Sequence, residues 1–252
     1  MQQPLVQLGF SGNVAGLGLN DPQRRNALGT DMFDALDGAL AQVSSSPEVH
    51  VLLLHGRGRV FCSGFDLAAA ADVPQIVGTF IERLGGLLRA LRRLPQVVVG
   101  AVHGAAIAEG CAIVSACDLV VVSATAKLGY PVHRLGLSPA VSAATLQQAI
   151  GPGAARALLL GGQLIDGMAA KRTGLADAVS ADDQHVLSDA QALCAEIAGH
   201  GAAALRATKA WLNELDGSLE DWRIDDPAAH TAALLRSAEG RAALLAALQK
   251  QR

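Results

Sequence analysis

Arg57-Gly58-Arg59-Val60-Phe61-Cys62-Ser63-Gly64-Phe65-Asp66-Leu67 is a glycine-containing loop placed directly after the apolar run Val49 to Leu54. A short apolar run bounded by turn residues reads as a buried strand, so this loop leaves a strand end. The arrangement recurs downstream. Val97 to Val102 reads as another buried strand, and Val102-His103-Gly104-Ala105-Ala106-Ile107-Ala108-Glu109-Gly110-Cys111-Ala112 is a loop opening into a helix. Ser115-Ala116-Cys117-Asp118-Leu119 follows, with a strand over Asp118 to Ser123. Between the first two strands the pattern predicts a helix from about Val73 to Leu94, stopped by Pro95. Units of this length predict parallel strands joined by helical crossovers, an α/β fold.

Toward the N-terminus, Val6 to Phe10 and Val14 to Leu19 flank the turn Ser11-Gly12-Asn13 and read as a β-hairpin. Thr30 or Asp31 then caps a helix whose apolar residues Met32, Phe33, Leu36, Leu40 and Val43 recur at helical spacing, closed by Ser44 to Pro47. From Leu146 onward the pattern is mostly helical, with one short strand expected at Ala176 to Val179. Ala-Leu-rich helices over Leu187 to Gln251 break at Gly199-His200-Gly201 and at Asp225-Asp226-Pro227. A boundary near residue 195 is expected to divide a core, 1–195, from a helical region, 196–252.

The composition of the 252 residues, 51% hydrophobic but only 3% aromatic, with 27 Gly, suits helices packed closely on short strands in one domain with a small appendage. A net charge of −3 with scattered Lys and Arg gives no basic field, which argues against a nucleic-acid partner. Cys62, Cys111, Cys117 and Cys194 form no C-x-x-C pair and sit among apolar or small residues. They predict buried free thiols in a reducing compartment, with no metal site. Met1-Gln2-Gln3-Pro4 lacks the basic, apolar character of a leader, and the longest apolar stretch, Val97 to Ala108, is too short to span a bilayer. The expectation is a soluble cytoplasmic protein with no membrane partner.

A loop entering a helix aims free N–H groups outward, and the helix dipole adds positive potential, which suits an oxygen gaining negative charge. A third block, Ala126-Lys127-Leu128-Gly129-Tyr130-Pro131-Val132-His133-Arg134-Leu135-Gly136-Leu137-Ser138-Pro139, completes the pattern. Together the blocks resemble the crotonase, or enoyl-CoA hydratase/isomerase, superfamily. The resemblance rests on Asn26-Ala27-Leu28 after the hairpin, on Phe61-Cys62-Ser63-Gly64-Phe65-Asp66-Leu67, and on the small-residue loop before Ala116-Cys117-Asp118. It implies a crotonase-like spiral of β-β-α turns with a C-terminal helical trimerisation region, trimers often pairing into hexamers. It implies an acyl-CoA thioester as substrate, coenzyme A being part of that substrate and no separate cofactor being needed. It also implies a backbone oxyanion hole formed by the N–H of Phe65 and that of Glu109, or of Gly110 if the alignment shifts by one residue. For the CoA moiety it points to Arg24 or Arg25, to the backbone of Ser63, Phe65, Asp66 and Leu67, and to Lys209 on a C-terminal helix. Each cation also reads as a solvated surface charge.

Hydratases of this superfamily use two glutamates, and those positions are Ala112 and Val132 here. Neither side chain moves a proton. Three replacements lie nearby. Glu109 is a carboxylate at a non-family position, its side chain either entering the site or pointing away. His133 is a candidate base but, beside Val132, reads as facing the opposite way. Tyr130 either hydrogen-bonds substrate or water, or packs with its hydroxyl wet. Asp66 and Asp118 match positions that cap or tie loops. Three functions are compatible with the resemblance: a hydratase/isomerase-type lyase or isomerase of fatty acid metabolism with other proton-transfer groups; a CoA-ester decarboxylase or hydrolase, decarboxylation needing no glutamate base; and a non-catalytic acyl-CoA-binding protein.

Overall fold

The computed structural model describes residues 3–73 and 76–249. The expected hairpin pairs β1 (Val6–Ser11) with β2 (Val14–Leu19) in antiparallel register, Val6 opposite Leu19. A 3-10 turn, Pro22–Arg24, leads to α1 (Thr30–Ser44), β3 (Val51–Gly56), α2 (Leu67–Asp72), α3 (Ile76–Arg93) and β4 (Val97–Val102). Next come β5 (Ala105–Ile107), α4 (Glu109–Ala116), β6 (Leu119–Ser123), β7 (Lys127–Gly129) and a second 3-10 turn, Pro131–Leu135. The remainder is α5 (Ala143–Gly161), β8 (Leu164–Asp166), α6 (Gly167–Thr173), β9 (Ala178–Ser180), α7 (Val186–Ala198), α8 (Ala202–Leu215), α9 (Trp222–Arg236) and α10 (Ala238–Gln249).

The main sheet has the order β1-β2-β3-β4-β6-β9, parallel throughout except at the hairpin. Residues alternate between its faces. Leu52, Leu54, Val98, Val102 and Val122 join the large core with residues of α1, α3 and α4, whereas Val51, Leu53, Val97, Val99, Ala101 and Val121 pack with Val186, Ala190, Cys194 and Ile197 of α7. A small second sheet, β5-β7-β8, stands beside the first. Its strands have three residues each, too short for periodicity to reveal them.

Several expected boundaries move. β3 begins at Val51 rather than Val49 because its ladder with β2 starts where Val51 faces Val14, while the Val49 N–H is held by Ser46 O. Helix α3 begins at Ile76; Val73 is non-helical at φ −136, ψ 74, and positions 74–75 of the expected helix lie outside the described residues, as does the Gln251 end of the expected C-terminal helices. The boundary expected near residue 195 falls inside α7, which covers one face of the main sheet, and the chain breaks instead at Gly199–Gly201. No break occurs at Asp225-Asp226-Pro227, because α9 runs through it. Its face of Ile224, Ala228, Thr231, Ala232 and Leu235 is buried, and α9 packs against α3, where a Cβ at Gly85 would lie 3.1 Å from Ile224 Cγ2. That burial outweighs the roughly 3 kcal/mol that an interior proline costs a helix. The C-terminal helices thus fold back over their own chain, α10 reaching the turn 131–135.

Among the described residues no helix is long and apolar enough to cross a membrane. All four cysteines are buried free thiols, and burial pushes each up to about 12, so none is a ready nucleophile.

Candidate active site

The site begins with a knot made by Asn26. Arg25 and Asn26 both adopt positive φ, 56° and 55°, which turns the Asn26 side chain inward, where it is fully buried. Its Oδ1 accepts the Asp21 N–H at 2.8 Å, and its Nδ2 faces the carbonyls of Arg57, Val60 and Phe61, each at 3.0 Å. One amide therefore gathers the loop ahead of Gly64. Two residues on, Leu28 makes a parallel bridge to Phe65: its N–H donates to Gly64 O at 2.8 Å, and its carbonyl accepts the Asp66 N–H at 3.0 Å. With both flanking groups engaged on that side, the Phe65 N–H is directed the other way, toward α4.

The opposing donor comes from the start of α4. Ile107 N–H is bound by Cys62 O, and Ala108 N–H by Gly129 O at 2.8 Å. Ala108 then turns at φ 52, ψ −110, and the first intrahelical bond is Ala112 N–H to Ala108 O, so the helix leaves the Glu109 N–H without an internal partner. Gly110 allows the helix to sit against the loop, since a Cβ there would lie 2.5 Å from Cys62 O.

The two N–H groups meet at a carboxylate. Phe65 N–H donates to Glu109 Oε2 at 3.0 Å, and the Glu109 carboxylate is also held by its own backbone N–H. Burial pushes the carboxyl up to about 7, and the two backbone hydrogen bonds only partly offset that rise. The group lies on a cleft of ≈ 620 Å³. One wall contains Arg24, Arg25, Ser63, Phe65, Asp66 and Leu67; the other contains Pro131, Val132, Arg134, Leu135 and Leu137.

Most of the sequence-predicted residues gather here, and three do not. Arg24 stands at the cleft but is engaged by Asp21 at 2.6 Å and Asp66 at 3.0 Å, while Arg25 has no ion-pair partner among the described residues. Asp66 also caps α2 by accepting the Ala69 N–H. Lys209 is corrected: it is 5% exposed, and its Nζ bonds Asp118 Oδ2 at 2.6 Å and Gln96 O at 2.8 Å, away from the cleft. Burial lowers its pKa against the pull of Asp118, and with the Asp118 carboxylate on the Val98 N–H the pair ties α8 to β4. His133 is exposed and does not line the cleft; it lies beside Gly162. Tyr130 is buried rather than wet, its hydroxyl near Cys111, Ser115 and Ser142 without a well-formed hydrogen bond, and it too is off the cleft. Of the two positions at which the resemblance expects glutamates, Val132 lines the cleft and Ala112 is buried outside it. The apolar lining and Arg134 escaped the sequence reading because the turn 131–135 carries no periodic signal. Among the described residues no group of His, Cys, Asp and Glu side chains is placed to hold a metal ion.

The fold and the matches with known proteins define the class to which the chain belongs. Residues 9–223 match the family model for enoyl-CoA hydratase/isomerase. The chain is 38% identical over 215 residues to a Thermus thermophilus protein named "Putative enoyl-CoA hydratase", covering 83% of this chain and 85% of that one. An enoyl-CoA hydratase structure from Mycobacterium avium superposes with a TM-score of 0.83 at 29% identity, covering 99% of this chain and 98% of that one. An enoyl-CoA hydratase/isomerase from Mycobacterium paratuberculosis shares the fold with a TM-score of 0.87 at 22% identity, covering 98% of each chain. The chain belongs to the enoyl-CoA hydratase/isomerase family and has the crotonase fold.

Proposed function

We propose that the cleft binds an acyl-CoA thioester and polarises its carbonyl through the N–H groups of Phe65 and Glu109. One observation carries this reading: two backbone donors from separate loops converge on one carboxylate in the cleft. Donors fixed by the fold before a ligand arrives are what stabilises an oxygen that gains charge. Arg25 and Arg134 supply cations for the CoA phosphates, with coenzyme A entering as part of the substrate.

The chemistry that follows runs through few groups. Val132 offers no proton, Ala112 does not reach the cleft, and Asp66 is committed to Arg24 and the α2 cap. Glu109 is thus the cleft carboxylate with no ion-pair partner among the described residues, and its raised pKa suits proton transfer near neutrality. A second reading, acyl-CoA binding without turnover, is favoured by the Phe65 N–H already being bonded to Glu109. The exposed apolar residues Trp211, Leu212, Leu215, Leu219 and Trp222 on and after α8 support assembly into a homotrimer or hexamer, and four free thiols fit the cytoplasm.

Calorimetry with crotonyl-CoA, a 3-enoyl-CoA, methylmalonyl-CoA and a 3-hydroxyacyl-CoA, paired with turnover assays, tests both readings. Saturable thioester binding is expected, and absence of CoA binding overturns both. Isomerisation or decarboxylation that falls on Glu109→Gln supports the enzyme; binding with no turnover supports the second reading. Crotonyl-CoA hydration that survives Glu109→Gln shows that another group carries the proton.

A further inference from the structure

We propose that the Glu109 carboxylate is a built-in occupant of the oxyanion hole, which a thioester carbonyl enters only by displacing it. The inference rests on the acyl-CoA reading and adds how access to that site is controlled. Oε2 sits 3.0 Å from Phe65 N, where a bound carbonyl oxygen would sit, and a second oxygen cannot accept the same N–H along the same line. The carboxylate is also seated closely: a Cβ at Gly64 would come within 2.6 Å of Oε2, so the group lies against a bare Cα in space only glycine leaves. That same Cβ would meet Ile107 O at 3.2 Å and Ala108 Cβ at 3.4 Å, so protein closes the inner side and the cleft is the way out.

The charged and titratable groups near the carboxyl leave it on the amides. Cys62 lies close enough to feel its charge, and Arg24, Arg25, Asp66 and Arg134 line the same cleft. Cys62 is a neutral thiol, and Arg24 and Asp66 are paired with each other. Arg25 and Arg134 form no ion pair with Glu109 or any other carboxylate among the described residues, so neither draws the carboxyl out of the hole before a ligand arrives. Wild-type protein therefore gains little from the thioester carbonyl, because each N–H bond formed to the ligand replaces one lost to Glu109.

The test compares a CoA thioester with the matching CoA thioether, which lacks the carbonyl oxygen but keeps every other contact. In the wild type the two compounds bind alike. Glu109→Ala keeps the backbone N–H and empties the hole, so thioester affinity tightens about tenfold or more while thioether affinity stays within about twofold. The thioether also reports that the variant is folded, and Glu109→Ser, too short to reach Phe65, repeats the measurement if alanine is not tolerated. Thioester binding that is unchanged or weaker in the variants, or a gain shared equally by both compounds, overturns the inference alone. Binding of neither compound to any form overturns the acyl-CoA reading and this inference with it.

Discussion

The two walls of the cleft are built on different principles. The wall formed by residues 24–28, 63–67 and 107–109 is a mesh of backbone hydrogen bonds in which Asn26, Leu28 and Cys62 hold the Phe65 and Glu109 amides in place. The facing wall, lined by Pro131, Val132, Arg134, Leu135 and Leu137, is apolar apart from Arg134, and Val132 stands where the family resemblance expects a glutamate. A site whose work is done by backbone amides tolerates side-chain change provided the fold keeps its path. Proton transfer depends on particular side chains, and at Val132 the second wall presents none that titrates.

The largest expected effect tests whether one side chain holds the first wall together. Asn26→Ala leaves the Asp21 N–H and carbonyls of Arg57, Val60 and Phe61 without their buried partner. It should lower unfolding free energy by about 4 kcal/mol in urea denaturation, since each orphaned group costs about 1–3 kcal/mol before relaxation. A loss below about 1 kcal/mol would show that the loops hold their path without it.

Next in size is a pH effect at Glu109. Its folded pKa of about 7 lies above its ordinary value of 4.5, so between those values the native state keeps a proton that the unfolded chain releases. Stability contributed by this group is full below pH 4.5, falls as pH rises toward 7, and is level above. The full loss is about 3 kcal/mol at about 1.4 kcal/mol per pKa unit. Glu109→Gln should remove this component, so the stability difference between variant and wild type, measured at pH 5 and again at pH 8, should shift in favour of the variant at the higher pH. Parallel pH curves for the two proteins would contradict it.

The comparison can also be broken from the second wall. Val132→Glu places a carboxylate on the cleft opposite the amide donors, and isomerisation of a 3-enoyl-CoA should rise by about a hundredfold, the contribution typical of a positioned acid or base. No gain would mean that the wall is misplaced as well as apolar. The smallest effect belongs to Ala108, whose φ of 52 and ψ of −110 favour glycine. Ala108→Gly should relieve strain and raise stability by about 1 kcal/mol without altering thioester binding, as read from the denaturation midpoint and calorimetry.

Much of this architecture was legible from local pattern. The hairpin follows alternation and α1 helical spacing within a few residues, while β4 and β6 show as continuous apolar runs because both faces of these inner strands are buried. The short strands β5, β7 and β8 and the continuity of α9 through Pro227 were not legible, since contacts with distant segments hold them. Lys209 illustrates the same gap within the candidate site. Its sequence neighbourhood resembles a surface helix, and only the packing of α8 brings its amine to Asp118, 91 positions away in sequence.

By itself the sequence determined the longer strands and helices of the main sheet, and it carries Ala112 and Val132 where the family resemblance expects glutamates, because each of these is written in residue type and spacing. Only the tertiary structure decided where the Glu109 carboxylate points. Its rotamer depends on the bare Cα of Gly64 and the outward N–H of Phe65, 44 residues earlier in the chain. Local spacing sets which groups a loop carries, whereas long-range packing sets which of them meet.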